Sequence, residues 1–363
     1  MRKCPYCDFN SHTAGSEIPE QAYIKALIAD LQQDKKWAQG RKLCSIFFGG
    51  GTPSLFSAAG IGQILKAAER IIGFEPDIEI TLEANPGTAE QDKFSGFRSA
   101  GVNRLSIGIQ SFNDQHLLRL GRIHDGAQAL SAIETARRAG FSNFNLDLMH
   151  GLSGQTVGQA RRDLELASDS GALHISWYQL TIEPNTEFYS RPPQLPEEDA
   201  LVDIQQAGME LLDNGGYKQY EVSAFAQPGR RSQHNMNYWQ FGDYLGIGAG
   251  AHGKVTLATE NCILRTNKTR QPDNYLARDP LTLAQQKPIA KDALAVEFMM
   301  NGLRLRDGLN AGFFTSRTGL PASSIAKQVA KLQSQGLMEV DSRRYQTTAL
   351  GYQFLNSTLQ GFS

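Results

Sequence analysis

The sequence predicts an α/β protein, a partial (β/α)6 TIM-like barrel followed by a C-terminal α+β, winged-helix-like accessory domain. Three observations lead there. Strand-like and helix-like segments alternate about every thirty residues over the first two-thirds of the chain, the sign of βα units. Polar residues collect at the C-terminal ends of the strand-like segments, where barrels of this kind keep their reactive groups. After Tyr217 the composition changes, with aromatics, Gly, Asn and His crowding into 217–253.

A helix is expected over 19–37, with Ile24, Leu27, Ile28 and Leu31 on one face. A strand over 43–48 precedes a helix carrying Ile61, Ile64, Leu65, Ala68 and Ile72. Strand 78–83 leads to helix 89–100, closed by Gly101, and strand 104–110 leads to helix 126–139, closed by Gly140. Strands 145–149 and 173–180 lead to helices 156–170 and 197–214. The strands read as near-continuous apolar runs, which predicts a parallel sheet buried on both faces. Five strands are legible, and a sixth is expected before the cysteines near the start.

The tail reads differently. Helix 324–335 has Ile325, Val329 and Leu332 on one face and Gly336 as its stop. Strands 337–340 and 345–348 flank the turn Asp341-Ser342-Arg343-Arg344, and helix 350–359 follows. With 36 basic against 37 acidic residues the charge favours a packing module over a DNA-binding one. The expected organisation is a barrel over 1–216, a connecting region over 217–290 and the accessory domain over 291–363.

A chain of 363 residues that is 40% hydrophobic and 20% charged is ordinary for a globular protein. Near-neutral charge excludes an electrostatic case for nucleic acid. No apolar run approaches membrane-span length, which leaves room only for peripheral membrane contact, and the polar Met1-Arg2-Lys3 is no signal peptide. Four cysteines make a poor disulfide framework, so a reducing, cytoplasmic setting is expected.

The chemistry-bearing residues begin with Cys4-Pro5-Tyr6-Cys7. Alone this C-x-x-C is compatible with half a zinc site, a redox pair or part of an iron–sulfur ligand set. Gly49-Gly50-Gly51-Thr52-Pro53-Ser54 ends the strand over 43–48. Successive strands then end in Glu83-Ala84-Asn85-Pro86, in Gln110-Ser111-Phe112, near Asp147 and in Gln179. Five polar strand ends in a row point to a site rather than to packing. Glycines 49–51 let backbone amides approach an anion without a Cβ in the way. Arg122 can take a carboxylate bidentately, and Glu83 or Asp147 can accept from an ammonium or a hydroxyl.

Together these features resemble the radical S-adenosylmethionine superfamily. The resemblance implies a [4Fe–4S] cluster on a C-x-x-x-C-x-x-C loop, with Cys4 and Cys7 as two of its ligands. Counting back, the remaining cysteine falls one residue before Met1, so a misassigned start codon or a truncated chain is expected. The resemblance further implies S-adenosylmethionine contacts at Gly50, Gly51, Thr52, Glu83, Gln110, Arg122 and Asp147, with Phe9 near the adenine. The residues of catalysis stay unassigned.

Asp8-Phe9-Asn10-Ser11-His12, the run 104–112, Asp147-Leu148-Met149-His150-Gly151-Leu152 and His234-Asn235-Met236-Asn237-Tyr238-Trp239 narrow the resemblance to the HemW-type haem chaperones. Oxygen-independent coproporphyrinogen III oxidases carry a further cysteine where this chain has Phe9. The resemblance therefore implies a protein that binds haem and passes it to haem-requiring respiratory proteins. A radical enzyme acting on coproporphyrinogen III or a related tetrapyrrole is the alternative. His234, Tyr238 and Trp239 are the expected haem residues, with His252 a weaker second candidate.

Three other patterns carry less. Gly248–Gly253 matches G-x-G-x-x-G, but a strand-like segment follows it, so close-packed backbone at a ligand mouth is the better reading than a dinucleotide site. Cys44 and Cys262 can complete a four-thiolate zinc set on paper, yet Cys44 is expected on a buried strand. His12, His116, His124, His150 and His174 read as surface or satisfied core histidines.

Overall fold

The computed structural model describes the chain except residues 1–3, 9, 11, 13–18, 280, 281, 283 and 363, and the backbone alone of 88 and 89. The chain divides into two compact units. One comprises Met1–Lys25, Lys42–Gln219 and Ser223–Ser232, the other Ala26–Arg41, Tyr220–Val222 and Gln233–Ser363.

Helix α1 (Glu20–Ala38) gives its beginning to the first unit. There β1 (Leu43–Phe48), β2 (Phe74–Ala84), β3 (Arg104–Gln110), β4 (Phe144–His150) and β5 (His174–Gln179) pair in chain order, each parallel to the next. With β6 (Lys218–Glu221) and β7 (Ala224–Ala226) they make a curled seven-stranded half-barrel in the order β1-β2-β3-β4-β5-β7-β6. The crossover helices are α2 (Ala58–Ile71), α3 (Phe94–Ala100), α4 (Asp114–Arg119), α5 (Gly126–Arg138), α6 (Val157–Asp169) and α7 (Glu198–Asn214). Capping boxes Asp125/Gln128 and Thr156/Gln159 fix where α5 and α6 begin. The helix expected over 89–100 is broken in two, a single turn over Thr88–Gln91 and α3 from Phe94.

The sheet is not apolar on both faces, as the near-continuous runs suggested. Strands β2 to β5 alternate. Leu82, Leu105, Ile107, Leu146, Leu148, Ile175 and Trp177 face the helices and join one core with Phe94, Ile133, Leu164 and Ile204. Each such buried side chain contributes about 1.5–3 kcal/mol. Thr81, Glu83, Arg104, Ser106, Asn145, Asp147, His174 and Ser176 occupy the alternate positions, register partner against register partner. The concave face is therefore a polar network.

In the second unit, α8 (Gln233–Trp239) precedes an antiparallel sheet of β8 (His252–Leu257), β9 (Cys262–Asn267) and β10 (Gln285–Pro288), in the order β10-β9-β8. Helix α9 (Pro272–Ala277) lies between β9 and β10 in sequence. Strand β8 directly follows the glycine run, as expected, and a Cβ at Gly246 would collide with the His252 carbonyl. Asp30 and Asp34 of α1 are fully buried here, with Lys268 2.9 Å from Asp34 and Tyr275 donating to Asp30 at 2.6 Å. Such paired burial specifies one arrangement more than it stabilises it.

The tail holds α10 (Leu294–Gly302), β11 (Leu309–Asn310), α11 (Gly312–Thr318), α12 (Ala326–Ser334) and β12 (Arg344–Tyr345), which pairs with β11. The expected hairpin is a Met338–Thr347 bridge with Glu339 N–H donating to the Gln346 carbonyl at 2.9 Å. The expected helix 350–359 is two, α13 (Ala349–Gln353) and α14 (Leu355–Gln360), parted where Phe354 leaves helical geometry at φ −107°, ψ 44°.

Candidate cofactor site

The cysteine pair sits on a tight turn, with Cys7 N–H donating to the Cys4 carbonyl at 3.1 Å. Two elements of the first unit hold that turn. Phe188 N–H donates to the Pro5 carbonyl at 3.0 Å, and Gly121, in left-handed geometry at φ 69°, leaves Pro5 the space a Cβ would fill. Both thiols are half-buried. Among the described residues no group of three or more His, Cys, Asp or Glu is placed to hold a metal ion.

Arg122 joins this turn to the strand ends. One nitrogen lies 3.7 Å from Cys4 Sγ, and another donates to Asn85 Oδ1 and the Gly108 carbonyl, each at 2.8 Å. Its buried Nε has no partner. A buried guanidinium with an unused donor is poised for an anion. Tyr6, between the two cysteines, is buried beside Arg122, and burial raises its phenol pKa.

At the end of β1, Gly50 and Gly51 adopt φ 80° and 54°, and open space surrounds the place of a Cβ at each. That conformation suits glycine alone. Gly50 N–H donates to Glu83 Oε2 at 3.1 Å, and Thr52 starts the short turn Pro53–Leu55. Burial, then the Asp147 carboxylate, push the Glu83 carboxyl up to about 7. Asp147 is bound by Asn145 Nδ2 and Ser106 Oγ at 2.8 and 2.9 Å, while burial raises its own carboxyl.

Gln110 ends β3 at φ 70°, where the pairing with β4 shifts register. A non-glycine residue held there costs about 1–3 kcal/mol, and such strain gathers at functional sites. Its Oε1 accepts from Tyr178 at 2.8 Å. Burial raises the Tyr178 phenol, and Asp147, Tyr6, Arg122 and Cys7 lie close enough to act on it, so all five belong to one cluster.

Cys4, Cys7, Gly50, Gly51, Glu83, Gln110, Arg122 and Asp147 thus come together. Phe9 lies outside the described residues. Gln179 does not join the set. It pairs with His150, on the opposite face of the sheet from Tyr178, and is exposed. Tyr178 takes the place the sequence reading gave it, and Tyr6 was missed as well. Cys44 is exposed, not buried as expected, because β1 is an edge strand. His150 stacks on Trp177 at 4.2 Å within the helix-facing core.

In the second unit, His234 and Tyr238 stand one turn apart on α8 with ring centres 4.8 Å apart at 74°. Tyr238 meets Tyr244 at 4.4 Å, whose hydroxyl accepts from Arg265 at 2.8 Å. Arg304 lies 4.3 Å over the Trp239 ring, and the buried Trp239 indole N–H has no partner. His252 is exposed at the start of β8.

Comparison with known proteins adds identity to this geometry. The profile of the Radical SAM superfamily matches residues 1–167, and that of the HemN C-terminal domain matches 289–354. Heme chaperone HemW of Haemophilus influenzae is 51% identical over 366 residues, covering 100% of this chain and 95% of that protein. Heme chaperone HemW of Escherichia coli is 47% identical over 362 residues, with the same coverage. A mitochondrial radical S-adenosyl methionine domain-containing protein 1 of Bos taurus is 34% identical over 99% of this chain and 84% of its own length. The coproporphyrinogen III oxidase HemN of Escherichia coli shares the fold, with a TM-score of 0.81 at 23% identity over 99% of this chain and 87% of the other.

Proposed function

We propose, from the premise that this chain belongs to the HemW family of the radical S-adenosylmethionine superfamily, that it is a haem chaperone. It binds haem and delivers it to haem-requiring respiratory proteins, working in the cytoplasm. No helix among the described residues is long and apolar enough to cross a membrane. The observation that carries this reading is the likeness, at about half of all positions and end to end, to relatives bearing that name.

Superfamily membership brings a [4Fe–4S] cluster and S-adenosylmethionine. The residues present fit S-adenosylmethionine, and supply two of the three thiolates that the cluster loop implies. Cys4 and Cys7 offer thiolates on a held turn, which is what such clusters take. The open cradle at Gly50 and Gly51 and the unused Arg122 donor suit the carboxylate of the amino-acid part. Glu83 and Asp147 suit its ammonium and the ribose hydroxyls. A reduced cluster held by the Cys4 and Cys7 turn would supply one-electron cleavage of a carbon–sulfur bond. The chain's own part is to orient the ligand at the strand ends, with Glu83, whose carboxyl burial holds near 7, as a group that can carry a proton there.

Haem is assigned to α8. His234 offers the iron a nitrogen, Tyr238 and Trp239 offer aromatic faces, and Phe9 stands where the oxidases carry another cysteine. Haem and coproporphyrinogen III, titrated in parallel into the cluster-loaded protein with deoxyadenosine quantified, test the assignment. A Soret change with haem and no turnover of coproporphyrinogen III supports it. Conversion of coproporphyrinogen III with matching deoxyadenosine overturns it in favour of the radical enzyme.

A further inference from the structure

Below the strand ends, the concave face of the half-barrel holds a network that the cofactor reading leaves unused. Its centre is Asn145 on β4. The Asn145 Nδ2 donates to Asp147 Oδ1 and to Ser106 Oγ, both at 2.8 Å. Its Oδ1 meets His174 Nδ1 at 2.6 Å and accepts from Ser176 Oγ at 3.0 Å. Two donors and two lone pairs are the full capacity of a side-chain amide, so Asn145 is saturated. Ser106 Oγ in turn donates to Asp147 Oδ2 at 2.9 Å.

This arrangement fixes its own polarity. Both Asp147 oxygens accept, from Asn145 Nδ2 and Ser106 Oγ, so the amide nitrogen faces Asp147 and the amide oxygen faces β5. That requires His174 to present an N–H at Nδ1. Burial and the nearby Arg104 hold His174 neutral, and the Asn145 oxygen favours the tautomer with its proton on Nδ1. Asn145 and His174 are both almost fully buried, at 2% and 1% exposure, and three strands contribute to the network. A buried polar network in which every member is satisfied selects one geometry.

We propose that Asn145 and His174 are positioning residues, which hold the Asp147 carboxyl group turned toward the cationic ligand at the strand ends. The proposal rests on the assignment of Asp147 to the S-adenosylmethionine site. His174 sets the amide, the amide sets Asp147, and Asp147 meets the ligand.

The test measures S-adenosylmethionine affinity by anaerobic calorimetry on cluster-loaded protein, with the thermal midpoint as a control for folding. Asp147→Asn should weaken binding about tenfold or more, the loss of a charge-assisted contact. Asn145→Ala and His174→Phe should weaken it about five- to tenfold through Asp147; both also lower the thermal midpoint by leaving buried groups unpaired, so affinity is compared well below each variant's midpoint. His174→Asn keeps an N–H at the position of Nδ1 and should restore affinity to within about twofold. If His174→Phe does not fold, Ser176→Ala removes the other donor to Asn145 Oδ1, together with a contact to Asp147 itself, and should weaken binding in the same sense. Wild-type affinity in Asp147→Asn would overturn the cofactor assignment and the proposal with it. Weakened Asp147→Asn beside unchanged Asn145→Ala and His174→Phe would overturn the proposal alone. So would a loss in His174→Phe that His174→Asn does not restore, since that marks packing.

Discussion

The guanidinium of Arg122 approaches the Cys4 sulfur to 3.7 Å, although 118 residues separate the two in sequence. The same side chain also holds Asn85 and the Gly108 carbonyl, so one residue ties the cysteine turn to the ends of β2 and β3.

Arg122→Lys keeps the charge and loses the planar fork. S-adenosylmethionine affinity should fall about tenfold, the cost of one lost charge-assisted hydrogen bond. The iron content after anaerobic reconstitution should stay near wild type. Equal affinity in the variant would remove Arg122 from the ligand site.

Glu83 gives the site a pH dependence. Its carboxyl titrates near 7 because burial, and secondly Asp147, oppose its ionisation. A cationic ligand favours the ionised form, so affinity should rise as pH increases through about 7. Stability runs the other way. Between the ordinary carboxyl value of 4.5 and about 7 the folded state keeps a proton that the unfolded chain has lost, so stability falls as pH rises across that window. Glu83→Gln should flatten both profiles, bind the ligand more weakly and melt higher at pH 8. A variant that keeps the wild-type slope would show that Glu83 is not the titrating group.

His234→Ala should lower haem affinity and move the Soret band, because the half-buried ring assigned to the iron is removed. Tyr238→Phe keeps the ring that packs on His234 at 4.8 Å and should leave the spectrum almost unchanged. Identical spectra for His234→Ala and wild type would place the iron elsewhere.

Gly208 of α7 packs against Trp177, and a Cβ there would run into the indole ring. Gly208→Ala should therefore cost about 1–3 kcal/mol in urea unfolding, the range for an overpacked core. An unchanged midpoint would mean that Trp177 yields freely.

The helix-facing half of the barrel was legible because its helices carry apolar residues at helical spacing and clear stops. The concave half was misread. Arg104-Leu105-Ser106-Ile107 alternates plainly, but a preference for doubly buried parallel sheets hid that period of two. Gln179 shows the cost of a one-residue error, since the neighbour of a site residue points to the other face. Tyr178 and the Asn145 network were recoverable from the same alternation. The break at Phe354 was not, because no glycine or proline marks it. Arg122 was placed only by resemblance. Its contacts with Cys4 and Asn85 span 118 and 37 residues, beyond the reach of local pattern.

Haem transfer is the most direct test of the central claim. The protein is loaded with one equivalent of haem, separated from free haem and mixed with a haem-free respiratory cytochrome while the Soret region is followed. The account predicts that the cytochrome spectrum grows in as that of the loaded chain decays, faster than haem escapes to an inert acceptor such as albumin, and that His234→Ala abolishes the difference. Haem that does not bind, or that reaches the cytochrome no faster than it reaches albumin, would contradict it.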